Sequence, residues 1–86
     1  MKYLHYEVEA DVGGVVRVEI DKQANVRLLD DANYAAYRGG RRHRYYGGLA
    51  KRSPVTLAVP HAGRWHVVVD LGGHPGRVSA AVSLVA

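Results

Sequence analysis

The stretch that decides the fold is residues 59–70, Val-Pro-His-Ala-Gly-Arg-Trp-His-Val-Val-Val-Asp. Pro60 ends one run of alternating apolar residues, because proline has no backbone N–H to donate to a strand ladder. Gly63 allows a tight return of the chain. A second alternating run starts at Trp65, the only tryptophan in a chain that lacks phenylalanine. Two β-strands joined by a short turn are therefore predicted, with Trp65 in the core.

The same two-residue alternation recurs along most of the chain, and this is the period of a strand with one face on the core and the other on solvent. Near the start, Leu4, Tyr6 and Val8 share one face, and the more polar residues between them share the other. Six strands are predicted in this way, over residues 3–9, 16–20, 26–28, 55–59, 65–71 and 77–85. Short antiparallel strands at close spacing indicate an all-β fold, either a small jelly-roll-like antiparallel β-sandwich or a partly open barrel.

One stretch, residues 30–37, breaks the alternation with the sequence Asp-Asp-Ala-Asn-Tyr-Ala-Ala-Tyr. Alanine favours a helix, Asp30 or Asp31 can cap its first free amides, and Gly39 can end it. One short helix of two turns is therefore predicted. Because so short a helix is marginal alone, we expect packing by its tyrosines to hold it.

Length and composition indicate the class of protein. The 86 residues make one small domain, residues 1–86, and the absence of cysteine excludes disulfides and thiolate chemistry. Charged residues within the first 20 argue against a signal peptide, and no run approaches the roughly 18 apolar residues of a membrane helix. We therefore expect a cytoplasmic protein with no membrane contact.

The longest stretch without a strand or helix pattern is residues 39–53. Glycine pairs at 39–40 and 47–48 flank an Arg-Arg-His-Arg-Tyr-Tyr run. A long loop is predicted here, with one short strand at Arg44–Tyr46. Loops of this length are uncommon in compact domains and tend to be functional.

The most unusual feature is the charge of residues 38–52, here called the basic segment. It contains six of the 12 lysines and arginines and no acidic residue, so it carries +6 in a chain of net charge +4. Arginine suits bidentate contacts with phosphate or carboxylate, and tyrosine can stack on a base or sugar. The predicted ligand-binding residues are Arg38, Arg41, Arg42, Arg44, Tyr45, Tyr46 and Arg52.

Two other interpretations of the basic segment stay open at this point. Its arginines can pair internally with Asp30, Asp31 and Asp70 and hold the loop against the sandwich, or simply keep the protein soluble. The segment can also contact an acidic protein surface. Self-association into a homo-oligomer, through a sheet edge or the tyrosine-bearing loop, belongs to the same class of interaction.

Motifs for catalysis are sparse. None of the three serines lies in a Gly-x-Ser-x-Gly elbow, and the adjacent Asp30 and Asp31 are explained more simply as a helix cap than as paired catalytic carboxylates. We therefore expect no catalytic residues and a protein that is not an enzyme.

The five histidines do not form a metal motif along the chain. His66 and Asp70 share a strand face, but four residues of strand separate them by roughly 13 Å, too far to hold one ion. His5 and His66 both lie on polar faces and meet only if their strands are neighbours. From the sequence we expect no metal site and no cofactor.

Several motifs carry a resemblance to a known family: Asn25-Val26-Arg27, residues 30–34, Tyr46-Gly47-Gly48, Ser53-Pro54-Val55, residues 63–65 and residues 69–73. With them, nearly the whole chain resembles a small bacterial domain of unknown function that occurs alone or fused to a TIR domain. The resemblance implies an all-β domain without assigned catalytic residues and a sensing, binding or adaptor role. No TIR segment follows Ala86, so we expect a TIR-containing partner either to act in trans or to be absent.

These observations favour a non-enzymatic binding or sensing module whose basic segment contacts an anionic ligand, namely a phosphate, a nucleotide or a nucleic acid. The alternative is a protein–protein interaction or self-association domain of a bacterial signalling or defence system.

Overall fold

The computed structural model describes residues 2–85. Along this range the chain forms β1 (Tyr3–Ala10), β2 (Val15–Ile20), β3 (Ala24–Leu29), α1 (Asp31–Arg38), β4 (Tyr46–Ala50), β5 (Val55–Ala58), β6 (Gly63–Asp70) and β7 (Ala80–Val85). The predicted all-β fold with one short helix is confirmed.

The strands form two antiparallel sheets that face each other. The first has the order β1-β6-β3-β4 and the second the order β5-β2-β7. The two sheets do not close into a barrel. Of the two predicted alternatives, a β-sandwich and a partly open barrel, the fold is therefore the β-sandwich. The sandwich brings β1 and β6, which are more than 50 residues apart in the chain, side by side.

The hydrophobic core lies between the sheets, on the faces that the alternation predicts as apolar. Val16 and Val18 from one sheet and Val67 and Val69 from the other are fully buried there. Trp65 joins them with only 2% of its surface exposed, and its indole N–H donates to the carbonyl oxygen of His61 at 3.0 Å. The predicted core position of Trp65 is confirmed.

The last strand starts later than its apolar pattern predicts. Residues 77–79 continue the alternation, but the chain joins the sheet only at Ala80. The Ser79 N–H donates to the Asp21 carboxylate at 2.8 Å, and the Ser79 carbonyl accepts from the Asp21 N–H at 3.2 Å. This link to the β2–β3 turn takes the place of a strand ladder.

Helix α1 begins and ends where its capping residues predict. The Asp30 side chain accepts a hydrogen bond from the Asn33 N–H at 2.8 Å, and Gly39 is the C-cap residue. The helix packs on the outer face of the four-stranded sheet, where the Tyr34 ring stacks on His66 with centroids 4.4 Å apart. The sequence predicts that a tyrosine packs against the sheet and supports this helix, and Tyr34 does so.

The position of α1 corrects one prediction. The alternation predicts a solvent-exposed face on β6, but His66, Val68 and Asp70 are at most 4% exposed. An alternating strand shows which residues share a face, and it does not show whether another layer covers that face. Here α1 covers it, so β6 is buried on both sides.

The short strand in the basic segment also lies elsewhere than predicted. It covers Tyr46–Ala50 rather than Arg44–Tyr46, and it pairs with β3. Glycine makes this possible, because Gly47 has φ +103° and a Cβ atom there would lie 2.3 Å from the Val26 carbonyl oxygen. The glycine pair therefore belongs to the strand and allows β4 to approach β3 closely.

This close approach predicts that Gly47→Ala destabilises the fold more than Gly48→Ala. Both residues have positive φ, which costs an alanine about 1–2 kcal/mol, but only at Gly47 does the new methyl group collide with backbone. Urea unfolding of the two variants measures the difference. Equal losses of unfolding free energy would contradict the close approach of β4 to β3.

Candidate functional site

Side chains between α1 and the outer face of the four-stranded sheet form what we call the polar layer. Tyrosines from α1 cover histidine, arginine and aspartate side chains from the sheet. The main members of this layer are His5, Arg27, Tyr34, Tyr37, His66 and Asp70.

One half of the polar layer is organised around Asp70. Its carboxylate accepts hydrogen bonds from the Asn25 amide at 2.9 Å, the Tyr37 hydroxyl at 2.9 Å and the Gly72 N–H at 2.8 Å, and it forms an ion pair with Arg27. Burial acts to raise the pKa of Asp70, but these hydrogen bonds and the Arg27 charge outweigh it, so the pKa lies below its usual range.

Arg27 connects this carboxylate to the basic segment. Its guanidinium lies 5.7 Å from the centroid of the Tyr37 ring and 5.1 Å from that of the Tyr45 ring. Such cation–π contacts stabilise a chain segment by about 0.5–2 kcal/mol. Tyr45, one of the predicted ligand-binding residues, is therefore held in place by a residue of β3.

The Asp70 network predicts a large effect of Asp70→Asn on stability. The variant keeps the shape of the side chain but leaves the Arg27 charge buried without a counter-charge, and we expect it to lose about 3–5 kcal/mol of unfolding free energy. Asp11→Asn, in an exposed turn, is the matched control and should change stability by less than about 0.5 kcal/mol.

The same network predicts an acid dependence. Because the folded pKa of Asp70 lies below its unfolded value of about 3.9, the ionised carboxylate stabilises the fold above that pH, and the contribution is lost as the pH falls through the folded pKa. Denaturant titrations at several pH values between 5 and 2 give the unfolding free energy as a function of pH. This free energy should fall less steeply with decreasing pH in the Asp70→Asn variant than in the native protein. An equally steep fall of the unfolding free energy in both proteins would contradict the assignment of this acid dependence to Asp70.

The other half of the polar layer contains the two histidines. Strands β1 and β6 are neighbours, and His5 Nε2 lies 2.8 Å from His66 Nδ1. The Tyr34 ring stacks over both imidazoles, at centroid distances of 4.1 Å and 4.4 Å. The sequence analysis predicts that His5 and His66 come together only if their strands are neighbours. Strands β1 and β6 are neighbours, so the two side chains do come together.

Asp31 completes this half from the first turn of α1. Its carboxylate accepts from His66 Nε2 at 2.5 Å and from the Arg64 guanidinium at 3.0 and 3.1 Å. The hydrogen bonds from Arg64 and His66 lower the pKa of Asp31 to about 2. Burial, with the neighbouring His66, also lowers the pKa of His5.

Three of the predicted ligand-binding residues lie together. Arg44, Tyr45 and Tyr46 line a cavity of about 600 Å³. The Arg44 N–H donates to the Asn33 side chain at 2.7 Å, which attaches this end of the loop to α1. The rest of the cavity wall consists of Leu28, Asp30, Asn33, His61 and Trp65.

The other predicted residues lie outside this cavity. The Arg38 guanidinium is 5.8 Å from the Tyr34 ring centroid, Arg41 folds back beside Gly39, and Arg42 is exposed. Arg52 follows the far end of β4, a strand that spans roughly 13 Å. The basic segment is thus one charged stretch in sequence, and only its central part forms a concave surface.

The interpretation in which the arginines pair with internal carboxylates is wrong. The ion pairs among residues 2–85 are Arg17–Glu19, Arg27–Asp70, Arg64–Asp31 and His66–Asp31. Strand register brings Arg27 and Arg64 to the carboxylates of the polar layer, and Asp30 is used as the helix cap. Within the described range, the six cations of the basic segment have no carboxylate partner.

A larger open cavity of about 930 Å³ lies between the start of β1 and the loop that follows β6. Lys2, His74 and Arg77 contribute to its wall, and none of the predicted ligand-binding residues does. Its volume alone does not indicate a ligand.

The chain belongs to the family described as "Domain of unknown function (DUF1883)", whose match covers residues 1–86. The predicted resemblance to a domain of unknown function is confirmed in that respect. Comparison with curated proteins and with solved structures found no match. No helix described within residues 2–85 has the length and apolar character that crossing a membrane requires.

Proposed function

We propose that this protein is a non-enzymatic binding module that holds an anionic ligand, in the first place a nucleotide, in the cavity lined by Arg44, Tyr45 and Tyr46. The observation that supports this most directly is that Arg44 contributes to a concave surface without a carboxylate ion pair among residues 2–85. An arginine in this state offers charge-assisted hydrogen bonds to a phosphate.

The rest of the cavity wall supports a nucleotide over inorganic phosphate. Tyr45 and Tyr46 are 43% and 51% exposed, and the face of the Tyr45 ring that does not contact Arg27, together with the Tyr46 ring, can stack on a base. Asp30 also lines the cavity, and a carboxylate there favours a ligand that carries hydroxyl or amino donors besides its phosphate. The remaining cations of the basic segment raise the local concentration of such an anion.

We expect Arg44→Ala to weaken nucleotide binding far more than Arg52→Ala. Both changes remove one positive charge from the basic segment, but only Arg44 lines the cavity, and a charge-assisted hydrogen bond contributes roughly 1.5–3 kcal/mol, or at least tenfold in Kd. Isothermal titration with ADP measures this, and Arg52→Ala should change Kd less than about threefold. Equal losses of nucleotide affinity in the two variants would indicate that only the overall positive charge of the basic segment attracts the ligand, without a specific contact from Arg44.

Salt dependence tests the phosphate contact independently. Fluorescence anisotropy with a labelled oligothymidylate should show affinity falling linearly with salt on a log–log plot, with a shallower slope in the Arg44→Ala variant. A flat dependence, or no binding of either ADP or the oligonucleotide, would overturn the anionic-ligand function.

A second candidate function is protein–protein interaction or self-association, and it rests on the sheet edges. Leu84 and Val85 are 45% and 40% exposed on β7, an edge strand, and Leu49 is 59% exposed on edge strand β4. Apolar side chains on an unpaired edge favour pairing with another strand. Light scattering over a range of protein concentrations should then show a rise in mass that Leu84→Lys abolishes. A constant monomer mass would exclude self-association.

The biological setting is also a proposal. The family resemblance supports a bacterial sensing module that works with a TIR-containing protein, and we propose a cytoplasmic location with it. In that setting the anionic ligand would be the signal, and an exposed edge strand would be the surface for the partner.

A further inference from the structure

The pairing of β1 with β6 brings together three side chains with metal-binding atoms. Glu7 lies directly opposite His66 in the register, and His5 lies two residues before Glu7 on the same face of β1. One nitrogen of each histidine and one carboxylate oxygen of Glu7 all lie within 4.8 Å of one another. We propose that His5, Glu7 and His66 form a binding site for a divalent transition-metal ion, with Asp31 as the outer partner of His66.

The distance between the two histidine nitrogens is close to that of a metal site. His5 Nε2 and His66 Nδ1 are 2.8 Å apart, whereas two nitrogens on a tetrahedral zinc ion, each at 2.0–2.1 Å, are about 3.3 Å apart. A metal ion would replace the hydrogen bond between the two rings. The His5 ring stacks on the Tyr34 ring at an interplanar angle of 12°, and a widening of the gap by about 0.5 Å requires only a small change in the side-chain torsions of His5.

The second nitrogen of His66 has the partner that metal-bound histidines usually have. His66 Nε2–H donates to Asp31 at 2.5 Å, so the lone pair of the neutral ring is on Nδ1, which faces His5. A carboxylate in this outer position orients the imidazole and makes it a stronger ligand. Arg64 fixes Asp31 in turn through two hydrogen bonds, which leaves the orientation of the His66 ring well determined.

The chemistry of the three ligands determines which ions fit. Two imidazoles and one carboxylate suit Zn²⁺ and its neighbours Co²⁺, Ni²⁺ and Cu²⁺, while Mg²⁺ and Ca²⁺ prefer sites made of oxygen only. Three protein ligands leave a fourth position for water or an anion. The metal site shares no side chain with the Arg44 cavity. Metal binding and nucleotide binding are therefore independent proposals, and either can be wrong without the other.

The test is a titration of the full chain, without a histidine tag, with ZnCl₂ in a calorimeter. We expect one Zn²⁺ per chain, an affinity loss of at least 100-fold in His5→Ala and a loss of about tenfold in Glu7→Gln. Asp31→Asn should weaken binding by 10–100-fold through His66. Because His66 is buried, the half-buried His5 and exposed Glu7 on edge strand β1 are the better positions for substitution.

Two variants serve as matched controls. Glu9→Gln changes the next outward residue of β1, and His74→Ala removes an exposed histidine distant from the site in sequence. Both should bind Zn²⁺ within about twofold of the native protein. Circular dichroism and thermal unfolding without metal check that each variant is folded.

Cobalt provides a second measurement. Co²⁺ in a site with two histidines and one carboxylate gives visible absorption bands whose intensity reports the coordination number, and these bands should disappear in His5→Ala. Absence of Zn²⁺ binding by the native protein would overturn the proposal. So would native-like binding by His5→Ala, or an equal loss in His74→Ala, which would indicate histidines that bind metal without forming a site.

Discussion

The structure depends on the contact between α1 and the outer face of the four-stranded sheet. A sandwich of two sheets needs only one apolar face per sheet, yet here the second face of β6 is buried as well. Two tyrosines of α1 compensate for the burial of polar groups on this face. The Tyr34 ring stacks on His66, and the Tyr37 hydroxyl donates a hydrogen bond to the Asp70 carboxylate. The buried His66 imidazole and the buried Asp70 carboxylate thus both have hydrogen-bond partners, which is the usual condition for burying a polar group.

The same contact determines the shape of the basic segment. Asn33 of α1 accepts from the Arg44 N–H, and Arg27, held by Asp70, lies against Tyr45. A chain of contacts therefore leads from Asp70, at the end of β6, through Arg27 to Tyr45 in the cavity wall. Asp70 beneath α1 and Asp31 in its first turn pair with Arg27, Arg64 and His66, and the cations of the basic segment have no carboxylate partner among the described residues.

The polar layer has two halves with different chemistry. In the Asp70 half the carboxylate has four donors, and the Arg27 guanidinium is paired with it inside the fold. The histidine half presents ring nitrogens and the Glu7 carboxylate along the edge strand β1. The first half explains stability, and the second is where we propose a metal ion. The cavity lined by Arg44 lies where α1 begins, and Tyr45 in its wall contacts Arg27 of the Asp70 half.

The two-residue alternation by itself determined six strands and their apolar faces, though not β4, and the Asp30-Asp31 pair and Gly39 determined the helix, because these signals are local. The tertiary structure decided which polar side chains meet. His5 and His66 are neighbours only through strand order, and Asp70 pairs with Arg27 rather than with the basic segment through strand register. Such meetings join residues from distant parts of the chain, and no local pattern encodes them.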